Sequence, residues 1–210
     1  TSSYCWLAEL YEHIILFCPA GPAISDADSR ILQLLADLCA HFPLPYPVKL
    51  FVRYPPNDRI TTPPDYRDVI FQMPGKRFSL ERGTDWDMNF ADFQSLADTL
   101  FYSSMVISYA STMSIDAAVF DKPIINLKID FPNCRSTAEL YRIDHYQSVL
   151  ATGAVRLVST KEDLEEWIGR YLEHPELHHA ERARLVREQC GVLDGCAGKR
   201  VARILIDAVL

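Results

Sequence analysis

Two adjacent hydroxyls, Ser111 and Thr112, stand where an apolar run (Met105 to Ile107) gives way to a segment of helical character. Between the two lies a small polar knot, Ser108-Tyr109-Ala110-Ser111-Thr112. The first turn of a helix carries free backbone N–H groups and the positive end of the helix dipole, so it can receive an anion. Hydroxyls at that point add two further donors. The same pair also suits plain N-capping, which Ser and Thr perform with no ligand present. Residue types alone leave both readings open.

Other chemistry is harder to build from this chain. His178 and His179 are adjacent, so on a helix they point about 100° apart and cannot form an i, i+4 metal pair. Gly195-Cys196-Ala197-Gly198-Lys199-Arg200 echoes a phosphate loop, but Leu193 stands where the first glycine belongs and Arg200 where Ser or Thr belongs. No G-x-G-x-x-G, nucleophile elbow or H-E-x-x-H occurs. The six cysteines (Cys5, Cys18, Cys39, Cys134, Cys190, Cys196) include no C-x-x-C pair and no zinc spacing. A reduced, cytoplasmic setting is their simplest reading, with a Cys190–Cys196 disulfide as the alternative.

The elements that would position the hydroxyls follow from periodicity. HIILFCPA (residues 13–20) reads as a buried strand ended by Gly21-Pro22, and Ser25 or Asp26 can cap a helix bearing Ile31, Leu34, Leu35 and Leu38. VKLFVRY and DVIFQM are further strands, stopped by Pro55-Pro56 and Pro74-Gly75, and residues 76–89 read as a loop. FADFQSLADTLFYSS has helical period and leads into the strand MVISYA; a helix and the strand IINLKI follow. AVRLVS is a sixth strand, KEDLEEWIGRYLEH a helix, and Pro175 suits the first turn of another that runs to about Cys190. Gly191 and Gly195 break that helix, and Asp194 caps a last one with Val201, Ile204, Leu205 and Ala208 in register. Val-, Ile- and Leu-rich strands alternating with helices predict an α/β fold: a Rossmann-like parallel sheet of about six strands, with helices on both faces. The expected layout is a single domain over 1–210, with 1–12 a linker or leading helix and 186–210 a closing C-terminal helix. In such sheets ligands bind beyond the carboxyl ends of the strands, where the hydroxyl pair falls.

Composition narrows the partners. The net charge, 21 − 28 = −7, argues against a nucleic acid held through its phosphates. No apolar stretch approaches the ~20 residues that cross a bilayer, and the run after His13 lacks the basic start of a signal peptide. A chain that begins with Thr1 is expected to be a processed or excised piece of something longer.

ADTLFYSSMVISYASTMSIDAAVFDKPIINLKID (residues 97–130) resembles the donor-binding core of glycosyltransferases with two Rossmann-like domains, the GT-B architecture. It is especially similar to the branch of CDP-glycerol glycerophosphotransferases and capsule-type transferases. Leu96-Ala97-Asp98, the strand from Met105 to Ser108, Ser111-Thr112, Asp116 and Lys122-Pro123 carry that likeness, with the acid seven residues before the proline. DHYQSVLATGAVRLVSTKEDLEEWI and VLDGCAGKRVARIL resemble the end of the same domain, so the likeness spans roughly Ile14 to Leu210.

The resemblance implies that Ser111 and Thr112 hold the donor phosphates. It also implies that Asp116 binds the ribose diol, for which a carboxylate can accept both O–H bonds. The competing reading of Asp116 is a solvated first-turn acid stabilised by the dipole. Arg53, in VRYPPND, keeps the place of a family arginine that could face a phosphate, but Pro55 replaces the family's histidine. His145 sits where the family shows a polar residue near the phosphates; packing beside Tyr146 is its alternative. Asp121 stands where the family has Gly. The implied function is the donor-nucleotide half of a transferase that moves a sugar or glycerol-phosphate unit, in surface polysaccharide synthesis. It needs no metal and lacks its N-terminal acceptor domain. A sugar-nucleotide epimerase-related domain and a non-catalytic binding module are the alternatives.

Overall fold

The structure, a computed structural model, describes residues 9–41, 47–56, 66, 69–77 and 86–209. Six strands form one sheet: β1 (His13–Cys18), β2 (Val48–Arg53), β3 (Val69–Gln72), β6 (Met105–Ser108), β7 (Ile124–Leu127) and β8 (Val155–Val158), in the order β3-β2-β1-β6-β7-β8. Every neighbouring pair is parallel. β6 is central, as its apolar composition predicts: Ile107 lies between Phe17 of β1 and Ile125 of β7. The chain works outward from β1 to β3, then returns to the middle and runs to β8. The switch point therefore falls between β1 and β6, the place where sheets of this kind bind ligands.

Alternation along each strand sorts the core into two layers. Ile15, Phe17, Met105 and Ile107 pack with α1 (Asp28–His41) and α5 (Lys161–Glu173). Leu16, Val106 and Ile124 pack with α2 (Phe90–Tyr102), α3 (Met113–Val119), α4 (Asp144–Leu150) and α6 (His179–Gln189). The helix starts are fixed locally. Asn89 caps α2 by accepting from the N–H groups of Ala91 (2.8 Å) and Asp92 (3.3 Å), while Asp92 accepts from the Asn89 N–H (3.0 Å). Thr160 caps α5 through the Asp163 N–H at 3.0 Å.

Several local expectations change. The first helix begins at Asp28, later than a Ser25 or Asp26 cap would place it. Ser25 Oγ accepts from the Ala27 N–H (3.1 Å), and the Asp28 carboxylate reaches back to the Gly21 N–H (2.7 Å). The stretch read as a loop over 76–89 contains a two-residue antiparallel ladder, β4 (Lys76–Arg77) with β5 (Trp86–Asp87). Residues 138–142 form a 3-10 turn leading into α4, a helix not anticipated before β8. Pro175 precedes α6 by a full turn, because His178 adopts left-handed φ 62° and its ring packs on Trp167 and Tyr171. Gly191 and Gly195 do break the chain, both at positive φ, and α7 (Ala197–Val209) follows. Asp194 sits before that helix and accepts from the Cys196 N–H (2.9 Å), while the Cys196 carbonyl takes the first helical bond from Arg200. The closing segment 186–210 is thus the end of α6, a glycine turn and α7. Of the expected leader 1–12, Glu9 and Leu10 are helical and residues 1–8 lie outside the described set. Cys190 and Cys196 are free thiols.

Candidate functional site

The C-terminal edge of the sheet at the switch point is built by three connections: Pro19 to Ala27 after β1, Tyr109 to Thr112 after β6, and Lys128 to Thr137 after β7. Arg135 ties the first and last together. Its guanidinium donates to both Asp26 carboxylate oxygens (2.8 and 2.7 Å), to the Pro22 carbonyl (2.7 Å) and to the Ala23 carbonyl (3.2 Å). These bonds hold the Asp26 carboxyl below the usual carboxylate range. Beneath them, Ser25 Oγ donates to the buried Tyr109 phenol oxygen at 3.3 Å. Burial and the nearby Asp28 carboxylate push the Tyr109 hydroxyl well up, so it stays neutral.

Ser111 and Thr112 stand at the start of α3, as the residue pattern requires. Ser111 Oγ accepts from the Met113 N–H at 3.3 Å, and its carbonyl accepts from Ser114. Thr112 occupies the cap position with helical φ −59°, is exposed, and makes no side-chain bond to the helix. One hydroxyl therefore does capping work and the other faces outward. Asp116 lies one turn further on, half-buried, and its carboxylate forms no hydrogen bond or ion pair among the described residues. Desolvation raises its pKa above the ordinary carboxylate value. It lies in the electrostatic reach of Cys18, at the end of β1, and of Cys190; burial pushes the Cys18 thiol up to about 12.

Arg53 ends β2 and is tied into the body of the domain. It is 5% exposed, and its guanidinium donates to Gln72 Oε1, Ser95 Oγ (3.3 Å) and the Asp92 carbonyl (3.2 Å). These bonds make the guanidinium a joint between β2, β3 and α2. His145 is exposed in the first turn of α4, where its carbonyl accepts from Ser148 Oγ (2.7 Å). The structure thus brings Ser111, Thr112 and Asp116 together at the start and first turns of one short helix at the switch point. Arg53 ends β2, and His145 lies on a separate helix.

The residues that hold this helix were not visible as functional. Ser108 and Asn126, paired in register on β6 and β7, point to the α3 side of the sheet. Asn126 Nδ2 donates to Ser108 Oγ (3.1 Å) and Ser114 Oγ (3.2 Å); the Tyr146 hydroxyl bonds Ser114 Oγ (2.8 Å) and donates to Asn126 Oδ1. All four residues are buried. A fully connected buried network of this kind fixes one arrangement of its parts, here the α3 start over the strand ends. Its signal was faint: one Asn and one Ser in apolar strands, meaningful only once the strands are paired.

At its other end α3 is closed by Asp121 in left-handed φ 53°, the position where a glycine was expected. Its carboxylate accepts from Arg182 Nε and pairs with His179 Nδ1, both at 2.8 Å. Burial opposes ionisation here, but those partners hold the Asp121 pKa below its ordinary value. Among the described residues a groove of about 210 Å³ lies elsewhere, between α1 and α5, lined by Leu34, Asp37, Leu38, His41, Lys161 and Glu165. No group of three or more His, Cys, Asp or Glu side chains among them could hold a metal ion.

No protein-family model and no curated protein sequence matches the chain. Solved structures do. UDP-GlcNAc 2-epimerase from Neisseria meningitidis, bound to UDP-GlcNAc, aligns with a TM-score of 0.55 at 14% identity, over 97% of this chain and 48% of that one. The wall teichoic acid polymerase TagF gives 0.50 at 11%, over 97% and 47%. The glycotransferase of kitacinnamycin gives 0.50 at 12%, over 85% and 39%. The chain spans less than half the length of each. These likenesses establish the fold: a GT-B-like Rossmann domain of the kind shared by glycosyltransferases and UDP-GlcNAc 2-epimerases.

Proposed function

We propose that the chain is the donor-nucleotide half of a glycosyltransferase-like protein, which moves a sugar or glycerol-phosphate unit from a nucleotide diphosphate to an acceptor. Asp116 carries the reading: a half-buried carboxylate with no protein partner among the described residues, one turn after two hydroxyls at the β1/β6 switch point. A carboxylate in that state suits a vicinal diol, whose two O–H groups replace lost water. The diphosphate would lie against Thr112, Ser111 and the first N–H groups of α3, its charge met by these preorganised donors without a metal. His145 would approach it only from α4. The shared fold with a UDP-GlcNAc-bound epimerase and a teichoic acid polymerase supports the ligand class. The acceptor and the remaining catalytic groups would come from a second, N-terminal domain, with a surface polysaccharide as product and the cytoplasm as the site.

A thermal-shift panel of UDP-, CDP-, GDP- and ADP-linked compounds tests this. A ligand at 100 times its Kd stabilises by about 2.7 kcal/mol. One base should shift the melt, and the shift should vanish in Asp116→Ala and in Ser111→Ala/Thr112→Ala. No shift with any compound makes the chain a non-catalytic module, the reading that Pro55 and the buried Arg53 favour. An epimerase-related domain is separated from a transferase by product: an isomerised donor sugar rather than a sugar moved to an acceptor.

A further inference from the structure

Two tyrosines from one stretch of chain meet the hydroxyl knot. Tyr141 lies in the 3-10 turn before α4 and Tyr146 in α4 itself; both are buried, and their rings pack edge to face with centroids 5.9 Å apart. The Tyr141 hydroxyl donates to the Leu127 carbonyl at the end of β7 (2.8 Å), and its oxygen faces the Ala110 N–H. The Tyr146 oxygen faces the next amide of the knot, the Ser111 N–H.

The bond directions around Tyr146 are forced. A phenol has one proton, and this one goes to Asn126 Oδ1. Asn126 Nδ2 donates to Ser114 Oγ at 3.2 Å, so the Ser114 hydroxyl must donate back to the Tyr146 oxygen across 2.8 Å. The three groups close a ring in which each donates to the next. Burial pushes the Tyr146 hydroxyl up to about 12, so its proton stays in place. We propose that Tyr141 and Tyr146 are positioning residues for the candidate site: they fix the backbone from Ala110 to Ser114, and through it set where the Thr112 hydroxyl and the Asp116 carboxylate stand. Thr112 makes no side-chain bond to the helix, so its direction is inherited from Ser111 and Ser114 on either side. Asp116 is tied to the same segment, its N–H bonding the Thr112 carbonyl at 3.1 Å. A helix of seven residues has too few internal bonds to hold this arrangement unaided. The inference rests on the donor-nucleotide reading only for its effect on affinity.

Asp116 reports its own placement without any ligand, because burial opposes its ionisation, with Cys18 and Cys190 in its electrostatic reach. A carbon-detected NMR titration of the labelled chain reads that carboxyl. Tyr146→Phe should move its midpoint down toward the ordinary carboxylate value of about 4, as water enters beside a loosened helix start. Tyr141→Phe should move it in the same direction. Ile31→Val, on the opposite face of the sheet, lowers stability by loosening the core and should leave the midpoint where it is. For the nucleotide that shifts the wild-type melt, Tyr146→Phe should raise Kd at least about fivefold at a temperature where the variant is fully folded, and Ile31→Val should not. A midpoint unmoved in both tyrosine variants, or moved as far by Ile31→Val, makes the tyrosines merely structural and overturns the proposal. An unchanged Kd in Tyr146→Phe for a nucleotide that binds the wild type overturns it too, and leaves the donor reading standing. If no nucleotide shifts the wild-type melt, the donor reading fails while the titration still decides this one.

Discussion

At the scale of single residues, Asp116 couples stability to pH. Its folded-state pKa is raised by burial, so the folded protein holds this proton more tightly than the unfolded chain does. The stabilisation is present below the ordinary carboxylate value near pH 4 and is lost as pH rises through the higher folded value. Asp116→Asn should therefore raise the melting temperature at pH 7, with the gain shrinking at pH 4. The same variant should bind nucleotide less well, because one of the two accepting oxygens becomes an NH2 donor and the negative charge is lost. Asp121 behaves in the opposite sense: Arg182 and His179 depress its pKa against the effect of burial, and its contribution is lost as pH falls through that depressed value. Comparing pH-dependent melts of the two Asp→Asn variants separates them.

The next scale is the element, and α3 is the one that matters. It is seven residues long and is gripped at both ends: the Ser108–Asn126–Ser114–Tyr146 network at its start, Asp121 with Arg182 at its finish. Tyr146→Phe should cost about 1–3 kcal/mol in chemical denaturation, since Ser114 and Asn126 would lose a buried partner. At the other end Arg182 is 1% exposed and also donates to the Leu177 (2.6 Å) and Pro175 (3.0 Å) carbonyls. Asp121→Ala should be worse than Asp121→Gly by about 1 kcal/mol, because both lose the ion pair but only alanine keeps the left-handed strain. Equal losses would mean that the backbone at 121 relaxes freely.

Across the whole molecule, much was legible from sequence because it rests on periodicity. The six apolar runs become the six strands of the sheet, and MVIS is central because both its faces are apolar. The start of α3 could be read from one hydroxyl pair. What could not be read depends on pairing between distant segments. That Arg53 bonds Gln72 and Ser95, nineteen and forty-two residues away, is one such pairing. Ser108 and Asn126 look like interruptions until register joins them. Helix starts slipped where a side chain outcompeted the expected cap, as when Asp28 reached back to Gly21. Hydrogen exchange should follow the sheet order, with amides of β1 and β6 slowest and those of edge strands β3 and β8 faster.

The Arg135 clip also bears on how fast, and at what entropic cost, a ligand would settle at this edge of the sheet. Four bonds from one guanidinium already join the loops after β1 and β7, so a visitor finds them set and forfeits little chain freedom on arrival. Both partners of that ion pair are about half exposed, at 53% and 43%, so dissolved salt reaches it readily. Raising ionic strength should then loosen the rim before it touches the sheet. Entry would pass from a rigid dock to one that must first be ordered, seen as a steeper temperature dependence of the association rate in salt and its disappearance in Arg135→Ala.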